Sequence, residues 1–174
     1  MAVISAAISV LGALAIAIAA ARIALGRARA LEALGMSALA ASPLVIGTGL
    51  FLVMRPVADP VALALPVTVA VNAVMALPFA LRSLAPAARA VEADYGRLAD
   101  SLGMTGAARL RLLTLPRLRA PIGFAAGLSA ALAMGDLGVV TLFADPERGT
   151  LPLALYQLMG AYRMDAAAGA AVLL

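Results

Sequence analysis

The sequence contains no cysteine, histidine, lysine or tryptophan. Without cysteine there is neither a disulfide framework nor a thiolate metal site, and no inference about redox compartment. Without histidine, an imidazole-based catalytic or zinc site is excluded within the chain. The G-x-x-x-x-G-K-[ST] phosphate loop is also missing, so this chain is not itself a P-loop ATPase. Charged residues make up 13% of the 174 residues and aromatic residues 4%. All thirteen basic residues are arginine, which, beside so much alanine, fits a GC-rich genome better than a chemical demand.

What fills the chain instead is apolar: 64% of it is hydrophobic and the mean hydropathy is +1.05. A soluble domain is nearer half apolar, and this composition leaves too little polar surface to cover a water-soluble globule. The pI near 10.6 does not imply nucleic acid, because the arginines alternate with long uncharged runs. Positive charge beside lipid is first a topology signal, and no nucleic-acid partner is expected.

Uncharged runs cover residues 1–21, 33–54 and 60–81, each close to the roughly 20 helical residues that cross a bilayer core. A fourth predicted span, 120–144, is interrupted by Asp136 alone, and a fifth begins near Ala166 and is cut off at Leu174. Pro43, Pro66 and Pro78 fall inside or near the ends of these spans, where neighbouring helices make proline tolerable. If the loops alternate sides, ten arginines (22, 27, 29, 82, 89, 97, 109, 111, 117 and 119) share one side and Arg55, Arg148 and Arg163 the other. That asymmetry places the loop 82–119 in the cytoplasm and Met1 and the segment 145–163 outside. The first span lacks a basic leader and a polar cleavage region, so it does not read as a signal peptide. An outside N-terminus and a severed fifth span lead us to expect a fragment of a longer membrane chain.

The cytoplasmic loop is the least apolar part of the sequence. Ala87–Leu102 and Thr105–Leu115 are proline-free and rich in residues that favour helix. Gly103 between them suits a helix C-terminus because it adopts positive φ without steric cost. Pro116 is expected to stop the second helix and Pro121 to begin the next span. In the second helix, Met104, Ala107, Leu110 and Leu113 share a face, with Arg109 and Arg111 pointing elsewhere. Two readings of that helix stay open: it lies among lipid headgroups, or it lies in a groove on a soluble partner.

The loop resembles the EAA loop of binding-protein-dependent ABC importer permeases, whose pattern is E-A-A, three residues, G, nine residues, I-x-L-P. On this chain the pattern falls on Arg97, Leu98 and Ala99, then Gly103, then Leu113, Leu115 and Pro116. Arg97 stands where the family has glutamate, Leu98 where it has alanine, and Leu113 where it has isoleucine. Gly135-Asp136-Leu137-Gly138 is similar to the G-E-F-G stretch of permeases for iron(III), sulfate and molybdate. "GDLGVVTLF", "RGTLPLALYQLMGAYR", "ALPFALRSLAPAARAVEADYGRLADSLGM" and "SPLVIGTGLFLV" look like the C-terminal half of permeases for thiamine and its phosphate esters.

The resemblance implies an all-α, polytopic transmembrane bundle of the type I importer kind. It would comprise about four complete spans plus a truncated fifth, with residues 1–174 as one permease domain. It implies a bacterial inner-membrane, non-enzymatic permease for thiamine or its phosphate esters. Iron(III), sulfate or polyamine is the alternative cargo, and a non-transporting membrane structural or assembly protein the alternative class. The implied partners are an ATP-binding subunit, a periplasmic substrate-binding protein, a second permease half and membrane lipid. This chain would bind no cofactor, ATP and magnesium belonging to the partner subunit that docks on the loop.

Candidate path residues are the polar ones inside the spans. Asp136 lies sixteen residues beyond Ala120, about 24 Å along a helix, toward the outer half of the bilayer. Intramembrane carboxylates face a cavity or a partner, so Asp136, flanked by Gly135 and Gly138, is read either as a helix-break residue or as part of the path or its gate. Asn72 either hydrogen-bonds a neighbouring helix or lines the path. Tyr156 and Tyr162 either anchor the outer segment at the interface or offer rings to a cationic substrate.

Overall fold

The computed structural model describes residues 1–54, 56, 64–135 and 151–172, and these are helical with short connections. The first predicted span is one helix, α1 (Ala2–Arg22). Its buried face carries Ser5, Ser9, Ala13 and Ala17 at four-residue spacing. Small side chains let helix backbones approach closely, which is how helices associate where lipid supplies no hydrophobic drive.

The second predicted span is not one helix. It is divided into α2 (Leu25–Met36), a 3-10 turn (Ser37–Ala40) and α3 (Pro43–Met54). The arms 25–40 and 43–50 meet at 84°. Ala41 is extended, with φ −107° and ψ 141°. Pro43 begins α3, and the Ile46 N–H donates to the Ser42 carbonyl at 3.1 Å. Proline disfavours helical geometry in the residue before it and has no N–H to continue a helix. Pro43 therefore restarts the helix in a new direction rather than being tolerated inside it.

The next departure runs the other way. The third predicted span and the first loop helix are a single 38-residue helix, α4 (Ala64–Ser101), passing through Pro78 and Pro86. At 1.5 Å per residue it is about 57 Å long, nearly twice a bilayer core of about 30 Å. Its uncharged half fits the membrane and its charged half, from Arg82 onward, projects beyond. Pro78 is fully buried, so packing offsets the missing hydrogen bond.

After the turn at 102–105 come α5 (Gly106–Arg109), a π-helical turn (Leu110–Thr114) and α6 (Leu115–Met134). Pro116 thus does not stop the second loop helix. It occupies the first turn of α6, directly after the π turn, in which the Leu115 N–H reaches back five residues to the Leu110 carbonyl. A π turn absorbs a local mismatch in the hydrogen-bond ladder, here next to a residue with no N–H to give. Pro121 lies inside α6 rather than at its start.

The core is where α1, α4 and α6 meet: Val10, Ala13 and Ala17 against Ala80, Leu81, Leu84, Ala85 and Ala88, with Leu118 and Ala125. α2 folds back onto α1 and α4 through Gly35, where an added Cβ would come within 2.6 Å of a Leu81 methyl. Beyond residue 150, α7 (Leu151–Gly160) and α8 (Met164–Val172) pack together. Among the described residues, two helices, or three if the bent pair counts as one span, are long and apolar enough to cross a membrane.

Candidate functional site

The end of the bundle at which α4 turns back toward α6 is built on a helix cap. Gly103, at φ +66°, donates its N–H to the Asp100 carbonyl at 3.0 Å, and Met104 donates to the Ala99 carbonyl at 2.9 Å. This pair of bonds is the Schellman arrangement, which needs a left-handed residue where Gly103 stands. Ala99 is buried, so the four-residue spacing from Ala99 to Gly103 is the geometry of the cap itself. The glycine turn predicted at 103 is present.

Arg109 then ties the returning chain to α4. Its guanidinium is 8% exposed. Nη1 donates to Asp100 Oδ1 at 2.5 Å, Nη2 to Glu92 Oε1 at 2.5 Å, and Nη2 also to the Gly96 carbonyl at 3.3 Å. A Cβ on Gly96 would come within 3.1 Å of the Glu92 carboxylate and 3.2 Å of Arg109 Nη2, so the glycine leaves room for the clamp. Glu92 also pairs with Arg22 at the end of α1, Nε to Oε2 at 3.5 Å. Three helical elements thus meet on one carboxylate. Arg117 stacks over the Tyr95 ring, 3.6 Å from its centroid, and Arg89 pairs with Glu32 of α2. Thr114 donates to the Arg109 carbonyl at 3.3 Å across the π turn.

These contacts revise the sequence reading in two places. Arg109, read from the sequence only as lying off the apolar face and marking the side of the loop, is a buried crosslink, and Arg22, Glu92 and Asp100 were missed with it. The predicted apolar face is also turned differently. Met104, Leu110 and Leu113 are half-buried against the chain and Ala107 is exposed, while the outward apolar residues are Leu98, Leu102 and Leu112. Leu115 is half-buried and Pro116 exposed. Arg97, in the glutamate position of the loop pattern, is exposed and makes no ion pair among the described residues.

A second feature lies at the break in the bent helix pair. A cavity of about 350 Å³ is lined by Pro43, Asn72, Met75, Phe79, Leu132 and Gly135, among others. Asn72 is 7% exposed and its Oδ1 is buried without a hydrogen-bond partner among the described residues. The structure brings Asn72 and Gly135 together. Asp136 and Gly138 lie outside the described residues. Tyr156 and Tyr162 are exposed on and after α7 and do not line this cavity. Tyr162 holds φ 59°, the left-handed position of a second Schellman turn closed by Arg163 N–H to the Leu158 carbonyl at 2.9 Å.

No family profile matches the chain. Over 132 residues, 76% of its length, it is 44% identical to the thiamine transport system permease protein ThiP of Brucella abortus, of which the match covers 24%. Over 145 residues, 83% of its length, it is 39% identical to ThiP of Escherichia coli, of which the match covers 27%. A putative 2-aminoethylphosphonate transport system permease, PhnV of Salmonella paratyphi A, is 40% identical over 68 residues. The chain spans about a quarter of the length of the thiamine permeases it matches.

Proposed function

Since this chain belongs to the ABC importer permeases as a homologue of one stretch of the thiamine permeases, we propose that it forms part of the membrane path for thiamine or its phosphate esters. The observation that carries this reading is the identity of 39% to 44% over about four fifths of the chain with proteins named for thiamine transport. The relatives are transport permeases rather than enzymes or scaffolds, which speaks against a purely structural membrane protein. No specific observation favours iron(III), sulfate or polyamine.

In this reading the chain sits in the bacterial inner membrane beside a second permease half and receives its cargo from a periplasmic binding protein. ATP and magnesium are held by a separate subunit. The cap at Gly103 and the outward Leu98, Leu102 and Leu112 form the surface on which that subunit docks, apolar anchors supplying affinity. The Arg109 clamp makes the docked turn rigid with α4. A push on the turn then moves the 38-residue helix as a lever rather than bending the loop, the rigid-body form of gating.

The test is reconstitution of the full-length transporter in vesicles with its ATP-binding subunit and binding protein. ATP-dependent accumulation of thiamine is expected. Stimulation of ATP hydrolysis by an iron-loaded binding protein, with none by a thiamine-loaded one, would overturn the assignment.

A further inference from the structure

Another cavity lies where α1 ends and α2 begins. Its volume is about 250 Å³, and it is lined by Ile23, Leu25, Ala28, Arg29, Glu32 and Arg89, among others. Two guanidiniums against one carboxylate leave this lining with an excess of positive charge. Arg89 donates through Nη2 to Glu32 Oε1, but a guanidinium has five N–H donors, so that pair does not exhaust it. Arg29 is exposed and makes no ion pair among the described residues. The cavity thus offers an anion donors from two helices, α2 and α4.

Its depth selects among anions. α1 carries no charged side chain before Arg22, and its 21 residues extend about 31 Å, the thickness of a bilayer core. The cavity begins at the last turn of that helix, at the level where hydrocarbon gives way to headgroups. Within its lining, Ile23 is 41% and Leu25 62% exposed. Exposed apolar side chains beside arginines suit a lipid, whose acyl chains cover the first while its phosphate meets the second. A soluble phosphate has no use for the apolar part, and both guanidiniums repel a cation. The arginine fork matches phosphate oxygens in geometry and charge. The volume falls below the roughly 300 Å³ of the smallest ligand pockets, so it admits a headgroup and leaves the acyl chains outside.

We propose that this cavity binds the phosphate of an anionic phospholipid, held between Arg29 and Arg89, with the acyl chains lying over Ile23 and Leu25. The bound phosphate adds a second bridge from α2 to α4 beside the Arg89–Glu32 pair. The site is independent of which cargo the permease carries.

The experiment uses the full-length permease with its ATP-binding subunit, purified in detergent. Native mass spectrometry counts the phosphatidylglycerol retained as that lipid is titrated against phosphatidylcholine. The wild type is expected to retain phosphatidylglycerol preferentially, and the apparent affinity should fall about fivefold in Arg29→Gln. Arg27→Gln is the control. Arg27 is also exposed but does not line the cavity, so its loss should leave the affinity nearly unchanged. Equal losses in the two variants would mean diffuse surface charge and overturn the site, as would no loss in Arg29→Gln.

Should Arg29→Gln fail to assemble, Glu32→Gln tests the site with the opposite sign. Removing the carboxylate takes away its repulsion of the phosphate and frees Arg89, so phosphatidylglycerol should bind several-fold tighter. Binding that is unchanged or weaker overturns the proposal. Inorganic pyrophosphate at millimolar concentration should not displace the lipid from the wild type. Displacement would assign the cavity to a soluble phosphate and overturn the lipid assignment.

Discussion

Arg109 Nη2 lies 2.5 Å from Glu92 Oε1, joining residues seventeen positions apart across the turn after α4. Glu92 is itself shared with Arg22, so the end of α1, the extension of α4 and the start of the returning helix are held by one network. Two carboxylates answer one guanidinium. This balances the buried charge, although the Arg109 Nε is left without a partner among the described residues.

Removing the guanidinium should therefore do more than weaken a surface pair. Arg109→Ala leaves Glu92 and Asp100 close together, with only Arg22 to compensate. Breaking a buried pair typically costs 3–5 kcal/mol, and the 68% exposure of the Asp100 side chain lowers the expected loss to about 2 kcal/mol. Thermal unfolding in detergent measures it. ATP hydrolysis should persist while thiamine uptake per ATP falls several-fold. Equal loss of both would mean that the clamp serves stability alone. Glu92→Gln should show a smaller effect in the same direction, because Asp100 still pairs.

Gly103 offers a cleaner test, since an added Cβ meets nothing within 4 Å and only backbone conformation is at issue. Gly103→Asn should be tolerated, asparagine being at ease in the left-handed region. Gly103→Val should lose about 1–2 kcal/mol, and Gly103→Pro more, because it also removes the N–H given to Asp100. Co-purification of the ATP-binding subunit should fall in that order. Retention by the proline variant would show that the cap does not shape the docking surface.

Gly103 was readable in the sequence because its role is local: a glycine between two helix-forming stretches obeys a rule that needs no neighbour. The Arg109 clamp was not. Its partners lie nine and seventeen residues away on another helix, and the arginine already had a sufficient explanation as a topology signal. The prolines behave differently, Pro43 and Pro116 against the reading of the sequence and Pro78 in keeping with it. Pro43 redirects a helix, whereas Pro78 and Pro116 are absorbed, one by burial and one by the π turn before it. Residue type alone carries none of that distinction, which depends on what packs alongside. Asn72 was singled out for its polarity, but its burial beside a cavity is a fact of tertiary structure.

Tyr162 holds a left-handed conformation, φ 59°, with its side chain 87% exposed. An L-residue there costs about 1 kcal/mol relative to glycine. Tyr162→Gly should therefore stabilise the turn after α7 and slow hydrogen exchange of the Arg163 amide about fivefold. If uptake falls while the turn tightens, the ring serves at the membrane interface or on the substrate. Unchanged uptake would remove Tyr162 from the path.

Leu112 separates docking from folding. It is 72% exposed, so replacing it removes little packing from the chain, and surface changes of this kind usually stay within about 0.5 kcal/mol of wild type. An apolar anchor buried by a partner, by contrast, can cost 2 kcal/mol or more on truncation, and introducing a carboxylate adds its desolvation. Leu112→Asp should thus leave thermal stability in detergent unchanged and reduce recovery of the ATP-binding subunit at least tenfold. The half-buried Leu113, which the loop pattern favours, should behave the other way, Leu113→Ala lowering stability before it weakens association. If Leu112→Asp keeps full recovery while Leu113→Ala loses it, the partner must turn the π segment over on docking, and the outward face seen here would not be the one it grips.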